Sequence, residues 1–416
     1  MIIGIGNVGS TSLKSKIIDI NEKNDIKVLG EANLDKIKSE GESNFVYRIG
    51  GGSSSREVID IVGFGAGIKF ILDWYIKNKV INNTEDIEAM GFKCVLGEKN
   101  GANMLTQQAL DGMKRYIFVA PVHNIPYIET IGEFRKILNV PMVGVFEPSF
   151  YHSIPEYRKI SGLPWEWYEK LGIKKNGFHG SSHRYLSAAA FKLEGTEDIK
   201  LLTIHLGGSS SICAVKDGKA IDNSFDFSTN SGLLQGTRIG NIDGTALLFA
   251  MKELGLSIEE AQSEISNNAG LYGTAGIGTD DLREILKASD EGNRRAKLAI
   301  DLFVDGIRKY IGSFSTVMGG IDCIVFGGGI GEKGAVIRER CLKDMEYMGI
   351  KLDLNKNKEL NGKQGLISAD LPESKVRTYI VPTNEEVVVA YFTKRVVEEG
   401  RDLEPEEMAF RLQPGS

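Results

Sequence analysis

Within Ile5-Gly6-Asn7-Val8-Gly9-Ser10-Thr11-Ser12-Leu13-Lys14, the run Val8–Leu13 has a counterpart half a chain further on, Gly207-Gly208-Ser209-Ser210-Ser211-Ile212. In both, a short apolar strand (Ile2–Ile5, then Leu201–Leu206) runs into a Gly/Ser turn. A second strand follows each turn. Leu13 to Ile20 alternates apolar and polar residues, and the later copy continues through Ala214-Val215 to Asp217-Gly218, a dipeptide that favours a two-residue hairpin. Two strand–turn–strand units so far apart predict two domains of related fold. Gly50-Gly51-Gly52-Ser53-Ser54-Ser55 looks similar, but a helical pattern is read after it, so it is expected to be a flexible loop.

A Gly/Ser turn between strands presents backbone N–H groups in a concave arc, and such nests bind anions. Glycine lets the backbone approach a phosphate closely, and serine and threonine hydroxyls add uncharged donors. One such hairpin is commonplace; a pair gripping a polyphosphate from both sides is more informative. A third turn, Gly327-Gly328-Gly329-Ile330-Gly331-Glu332, lies between a strand and a helical stretch, a geometry suited to nucleotides. It matches neither the dinucleotide nor the Walker pattern.

The rest of the chain alternates apolar strands with helical patterns, which predicts an α/β protein. Tyr116–Ala120, Met142–Phe146 and Ile321–Phe326 read as further strands. Ser257-Ile258-Glu259-Glu260 is a capping box. Asp280–Lys287 and Ala296–Tyr310 carry helical spacing. Asn384 is placed to cap a helix from Glu385 to Glu399 that Gly400 stops. The tail beyond Arg401 is polar, with two prolines, and is expected to be loosely held.

The 416 residues suit two or three domains, and 42% hydrophobic with 25% charged residues is ordinary for a globular protein. A net charge of −6 gives no support to a nucleic-acid partner. The N-terminus has no basic and apolar leader pattern, and no apolar run approaches the ~20 residues of a spanning helix. A cytoplasmic protein without a membrane partner is expected. Cys94, Cys213, Cys323 and Cys341 are scattered and read as core thiols, not as a disulfide or zinc set.

The loop Asn7–Lys14 resembles the N-terminal signature of acetate kinases. Ala120-Pro121-Val122-His123-Asn124, Phe178-His179-Gly180-Ser181-Ser182-His183 and His205-Leu206-Gly207-Gly208 look like further motifs of that family. Gly236-Thr237-Arg238-Ile239-Gly240-Asn241-Ile242-Asp243, Gly270-Leu271-Tyr272-Gly273, Gly328–Glu332 and Thr383-Asn384-Glu385-Glu386 complete the set in family order, over nearly the whole chain. The resemblance implies two domains of duplicated actin-like, ribonuclease H-like fold with an active-site cleft between them: residues 1–150 plus 386–416, and 151–385. It implies transfer of the ATP γ-phosphoryl group to a small carboxylate, giving an acyl phosphate and ADP. Positioning and positive charge do most of the work in such chemistry. By similarity, Arg238 stabilises developing charge, His179 donates to phosphoryl oxygens and Glu147 stands at the phosphate-side acid. Lys93, Val122, Phe178, Thr229 and Asn230 bind the acceptor. Lys14, His205, Gly207, Gly208, Asp281, Arg283, Gly329, Ile330 and Gly331 line the nucleotide site, and Asn7 and Glu385 hold Mg²⁺ through oxygen and water. A homodimer through the second domain is implied as well. All five histidines fall between His123 and His205; His179 is read as functional, His123 and His183 as structural.

Three departures from the family stand out. Its essential arginine is Lys93 in Gly91-Phe92-Lys93-Cys94-Val95-Leu96-Gly97, and an ammonium cannot reproduce a guanidinium fork. Its aspartate is Glu147, displaced by about one methylene, ~1.5 Å. Its apolar acyl pocket is the more polar Phe227-Ser228-Thr229-Asn230, which predicts an acceptor larger or more polar than acetate. These changes leave open a different acceptor, a pyrophosphate donor, or a catalytically weak nucleotide-binding protein with a regulatory role.

Overall fold

The computed structural model describes residues 1–9, 11–37 and 43–412. Ser10 of the first loop and the extreme C-terminus from residue 413 lie outside the described residues. The chain forms two compact units, Met1–His152 with Asn384–Ser416, and Ser153–Thr383.

In the first unit the strands are β1 (Ile2–Val8), β2 (Ser12–Ile20), β3 (Ile26–Asp35), β4 (Ser43–Ile49), β5 (Ser55–Ile59), β6 (Ala89–Cys94), β7 (Ala102–Met104) and β8 (Met142–Phe146). They form one sheet in the order β5-β4-β3-β2-β1-β6-β8-β7. β1, β2 and β3 pair antiparallel, whereas β1–β6 and β6–β8 are parallel. The second unit has β9 (Lys200–Leu206), β10 (Ser210–Lys216), β11 (Lys219–Asn223), β12 (Cys323–Gly327), β13 (Gly365–Leu366) and β14 (Arg377–Ile380), in the order β11-β10-β9-β12-β14-β13. Again an antiparallel meander, β9–β11, is followed by parallel β12 and β14. The repeated Gly/Ser turn therefore marks a repeated topology: a three-stranded meander extended by two parallel strands.

Each sheet is covered on both faces. In the first unit Leu13 and Ile17 of β2 pack with Phe64, Ile68, Ile71 and Tyr75 of the helix Phe64–Lys77. The opposite face carries the helix Glu385–Glu399 against β1, β2, β6 and β8. In the second, Leu202, Ile204, Leu206 and Ile324 pack against the long helix Arg294–Met318, and the helix Gly180–Glu194 lies against β9 and β12.

The second Gly/Ser hairpin, β8, β9 and the Asp217-Gly218 turn (φ 51° and 75°) form as expected, and β1 and β2 pair on either side of the first Gly/Ser run. So does the capping box of the helix Ile258–Asn267. Other expectations fail for local reasons. Tyr116–Ala120 is a succession of turns, with Val119 and Ala120 N–H bonded back to the Tyr116 carbonyl. Pro121 then starts the helix Pro121–Ile137 from a position where its missing N–H costs nothing. Gly50–Ser55 is a hairpin leading into the edge strand β5, and the helix begins only at Phe64. β12 begins at Cys323, two residues later than its apolar run. The helix read over Ala296–Tyr310 runs from Arg294, capped by Asn293, to Met318, where Gly319 at φ 72° ends it. Asn384 does not cap the helix Glu385–Glu399 with its side chain; its amide oxygen accepts from Lys16 instead.

The tail is also held more firmly than its polarity suggests. Leu403 pairs with Ala102 through both backbone hydrogen bonds, and Asp402 accepts from the Met104 N–H. Leu403 and Met408 are fully buried, and the Phe410 ring packs against Tyr391 and Phe392. Truncating a buried phenylalanine costs about 3 kcal/mol. Phe410→Ala is therefore expected to lower the stability of the first unit by about that amount in denaturant unfolding; a change below ~0.5 kcal/mol would mean the tail is not anchored.

Candidate active site

Strand periodicity assembles the polar groups of the first unit. Residues two apart share a sheet face. Asn7 lies opposite Lys14, Ile5 opposite Lys16 and beside Gly91, and Lys93 beside Val145. Asn7, Lys14, Lys16 and Lys93 thus share the face covered by the helix Glu385–Glu399, and Glu147 follows two residues after Val145. Asn7 Nδ2 donates to Glu386 Oε1 (3.1 Å), and its Oδ1 accepts from Tyr127 Oη (3.2 Å). Tyr127 Oη in turn accepts from the Val8 N–H at 3.0 Å. The other Glu386 oxygen pairs with Lys16 at 3.1 Å, and Lys16 also meets Glu31 at 3.4 Å. Lys14 is exposed; Lys16, one alternation further along, carries the network. Lys93 Nζ lies 2.6 Å from Glu385 Oε2, with both side chains largely buried. Glu147 is buried at the start of a tight turn, and Val122 is half-buried in the first turn of its helix.

Electrostatics follow from burial and pairing. Burial alone would raise the Glu386 pKa, but Lys16 and the Asn7 amide outweigh it and bring it down to about 2. Burial would likewise lower the Lys93 pKa, yet Glu385 and then Glu147 hold the ammonium well above its usual range.

In the second unit the same periodicity places Thr203 and His205 of β9 on one face, with Ser211 directly opposite His205. The helix Gly180–Glu194 brings its imidazoles to that face. His179, at the helix N-cap with φ 58°, contacts Ser211 Oγ through Nδ1 at 2.8 Å. His183, one turn on, lies 2.7 Å from the same oxygen and 2.7 Å from Thr203 Oγ1. Burial, then the neighbouring His205, push the His183 pKa well down, so it stays neutral. His205 Nδ1 is 2.7 Å from Ser182 Oγ, and the His179 and His205 rings lie 4.3 Å apart.

The glycines draw the turns together. Gly328 has φ 74°, and a Cβ there would come within 2.6 Å of the Leu206 carbonyl. The β12 turn is thereby pressed against the end of β9, beside Gly207. Gly236 N–H donates to the Gly208 carbonyl, and a Cβ on Gly236 would lie 2.5 Å from Asp280. Two residues on, Arg238 Nη1 reaches only neutral oxygens: Ser209 Oγ at 3.3 Å, the Thr229 carbonyl at 3.4 Å and Gln235 Oε1 at 3.3 Å. Among the described residues no carboxylate pairs with it, and burial lowers its pKa to about 10. Gly270, Leu271 and Tyr272 brace this turn, with Leu271 and Tyr272 N–H on the Gln235 and Gly236 carbonyls.

Other expected residues are placed differently. Phe178 is core, edge-on to Phe225. The Asn230 amide is engaged by Ser266, while the Thr229 side chain is buried. Asp281 caps the helix Leu282–Asp290 and pairs with Arg283 on the surface. Gly329 is exposed, Ile330 half-buried and Gly331 buried. Sequence reasoning missed Lys16, Tyr127, Ser182, Ser211 and Glu386 as site-organising groups. Lys16 and Ser211 were accessible from strand alternation, whereas Tyr127 reaches Asn7 through tertiary packing alone. No group of three His, Cys, Asp or Glu side chains gathers to hold a metal among the described residues. Mg²⁺ keeps most of its waters and needs one or two protein carboxylates; Glu385 in the first unit would supply one, and the Asn7 oxygen would supplement it.

A duplicated α/β architecture with glycine turns at the strand ends, paired imidazoles and a half-buried guanidinium bonded to neutral oxygens is that of a phosphotransferase. The chain belongs to the acetokinase family, whose model matches residues 2–391. It is 38% identical over 405 residues to the acetate kinase of Clostridium novyi (strain NT), covering 96% of this chain and 99% of that one. It is 39% identical to that of Shouchella clausii over 94% and 98% of the two chains. Among solved structures it is similar to the acetate kinase of Porphyromonas gingivalis (TM-score 0.83, 34% identity, 95% of this chain and 99% of that one). It is also similar to a propionate kinase from Francisella tularensis subsp. tularensis SCHU S4 (TM-score 0.85, 29% identity, the same coverage).

The Glu386 network has a pH signature. Its folded-state pKa lies below the ordinary glutamate value, so its stabilisation is complete above about pH 5 and is lost as pH falls toward 2. Between pH 6 and pH 3 the protein is expected to lose about 2 kcal/mol more stability than Glu386→Gln, measured by denaturant unfolding at each pH. Parallel pH profiles would refute this role for Glu386.

Proposed function

We propose that the chain transfers the γ-phosphoryl group of ATP to a small carboxylic acid, forming an acyl phosphate and ADP. The observation that carries this reading is Arg238: a half-buried guanidinium bonded weakly to neutral oxygens is a cation held in readiness for an anion. A carboxylate oxygen attacks the γ-phosphorus as the bond to the ADP oxygen breaks. The acceptor is already ionised, so no general base is needed, and the demand falls on orienting the groups and neutralising charge. Arg238 meets the charge on the phosphoryl oxygens. His179, fixed through Nδ1 by Ser211, donates to them. His205, Gly207, Gly208 and the Gly328–Gly331 turn receive the nucleotide. Glu385 and Asn7 would hold Mg²⁺ through their oxygens, and the ion when bound would supply charge neutralisation on the phosphates.

The relatives named for acetate and propionate support a small acid. The argument for a more polar acceptor now rests on Thr229, since Asn230 spends its amide on Ser266. We assign self-association to the second unit. Its helix Gly244–Leu254 buries no residue and exposes Leu248, Phe249 and Leu254, an apolar patch suited to a second copy; sedimentation velocity decides it.

Incubation with ATP, Mg²⁺ and a panel of acids from acetate upward, with hydroxylamine trapping, is expected to give a hydroxamate. Folded protein that yields none with any acid would defeat the reading, and transfer from pyrophosphate but not ATP would reassign the donor. Arg238→Ala is expected to lower kcat about 10²–10³-fold, as for loss of a preorganised charge-stabilising donor. Its thermal midpoint should stay near that of the unmodified protein, because the bonds it loses are long and neutral. An unchanged kcat would remove Arg238 from the chemistry.

A further inference from the structure

We infer that Lys93 is a positioning residue for Glu385 and not an anchor for the acceptor carboxylate. The ammonium sits 2.6 Å from Glu385 Oε2, and the two side chains are only 16% and 10% exposed. The pair joins β6 to the first residue of the helix Glu385–Glu399. A contact this close between buried charges is not readily exchanged for another partner, because breaking it strands a charge away from water.

The surroundings point the same way. Glu147 follows two residues after Val145, the β8 neighbour of Lys93, and is a second carboxylate acting on the ammonium; with Glu385 it gives the three side chains an excess of negative charge. Lys16 and Arg48 balance Glu386 and Glu31 in a separate group, with Arg48 2.6 Å from Glu31, so that group leaves this excess in place. A substrate carboxylate brought to Lys93 would be the third on one ammonium and would meet net repulsion. A divalent cation would meet net attraction. Arg238 has the opposite character: no carboxylate pairs with it among the described residues, and its bonds are to neutral oxygens. Of the two cations, Arg238 is the one available to an incoming anion. An ammonium, a compact point charge, suffices to orient one carboxylate oxygen, whereas bidentate capture of a substrate acid would favour a guanidinium. Lysine at this position is thus matched to the Glu385 contact.

The kinetic arm of the test rests on the carboxyl-kinase reading; the binding arm does not. Mn²⁺ is titrated into the full chain with ADP and no acid, and free metal is read by electron paramagnetic resonance. Lys93→Met removes a positive charge beside Glu385 and is expected to tighten Mn²⁺ binding about fivefold or more. Mn²⁺ affinity within twofold of the unmodified protein overturns the proposal, whatever the turnover. In kinetics, Lys93→Met should lower kcat about tenfold while the KM for the acid stays within about twofold. A tenfold rise in that KM overturns the proposal. In a Glu385→Gln background the same substitution should change kcat by no more than about twofold, because its effect passes through Glu385; multiplicative effects overturn it. Lys93→Arg, which keeps the charge, should hold Mn²⁺ affinity within about twofold. Lys93→Gln replaces Lys93→Met in every arm should the latter not fold.

Discussion

Two consecutive carboxylates, Glu385 and Glu386, open the helix that returns the chain to the first unit, and both are largely buried. Burying a charge without a partner costs several kcal/mol, so each carboxylate requires a cation at contact distance. Lys93 on β6 and Lys16 on β2 supply them, two strands apart across the sheet, with β1 between. The first turn of a helix favours acidic residues, but that effect is too small to hold both. The two ion pairs set where the helix lies over β1, β2 and β6, and with it the position of Asn7, whose amide is drawn between Glu386 and Tyr127. Helix placement and site geometry in this unit thus share an electrostatic contribution, beside the burial of Val387, Val388, Val389 and Phe392.

The second unit solves the same topological problem with neutral groups. Its covering helix, Gly180–Glu194, also brings its N-terminus to the strand ends of the meander. There it meets hydroxyls: Ser211 joins His179 and His183, and Ser182 joins His205 to Thr383. Arg238, half-buried and bonded to neutral oxygens, likewise has no carboxylate paired with it among the described residues.

The fold was legible because it is duplicated. A Gly/Ser turn between two apolar strands is ambiguous once and informative twice, and the β-meander followed by parallel strands forms in both units. What failed were elements whose state depends on distant partners. Tyr116–Ala120 has strand composition, yet no sheet edge receives it, and Pro121 claims the next residues for a helix. The tail is polar on average, but its few apolar residues, Leu403, Met408 and Phe410, fall where they can be buried. Asn384 has the right identity for a cap and the wrong neighbour, since Lys16 takes its side chain. The site shows the same division. Arg238, His179 and the glycine turns are assigned to the proposed site by motif resemblance. Tyr127 could not be, because its contact with Asn7 spans 120 positions.

Lys93 shows how a substitution within a family is best read. Compared by side chain alone, lysine for arginine is a loss: fewer donors and no fork. Considered with its neighbours, it is a partner chosen for Glu385. A guanidinium in contact with Glu385 would retain donors able to reach further anions; a lysine beside two carboxylates has little left to offer one. The exchange therefore separates two tasks that one arginine could share, holding the carboxylate of the helix N-terminus and meeting the substrate's charge. On the proposed reading the first stays with Lys93 in the first unit and the second falls to Arg238 in the second. On this argument the departure from the family concentrates the demand for anion binding on a single guanidinium, and the acceptor preference of the enzyme becomes a property of the groups around Arg238, Thr229 foremost, rather than of Lys93.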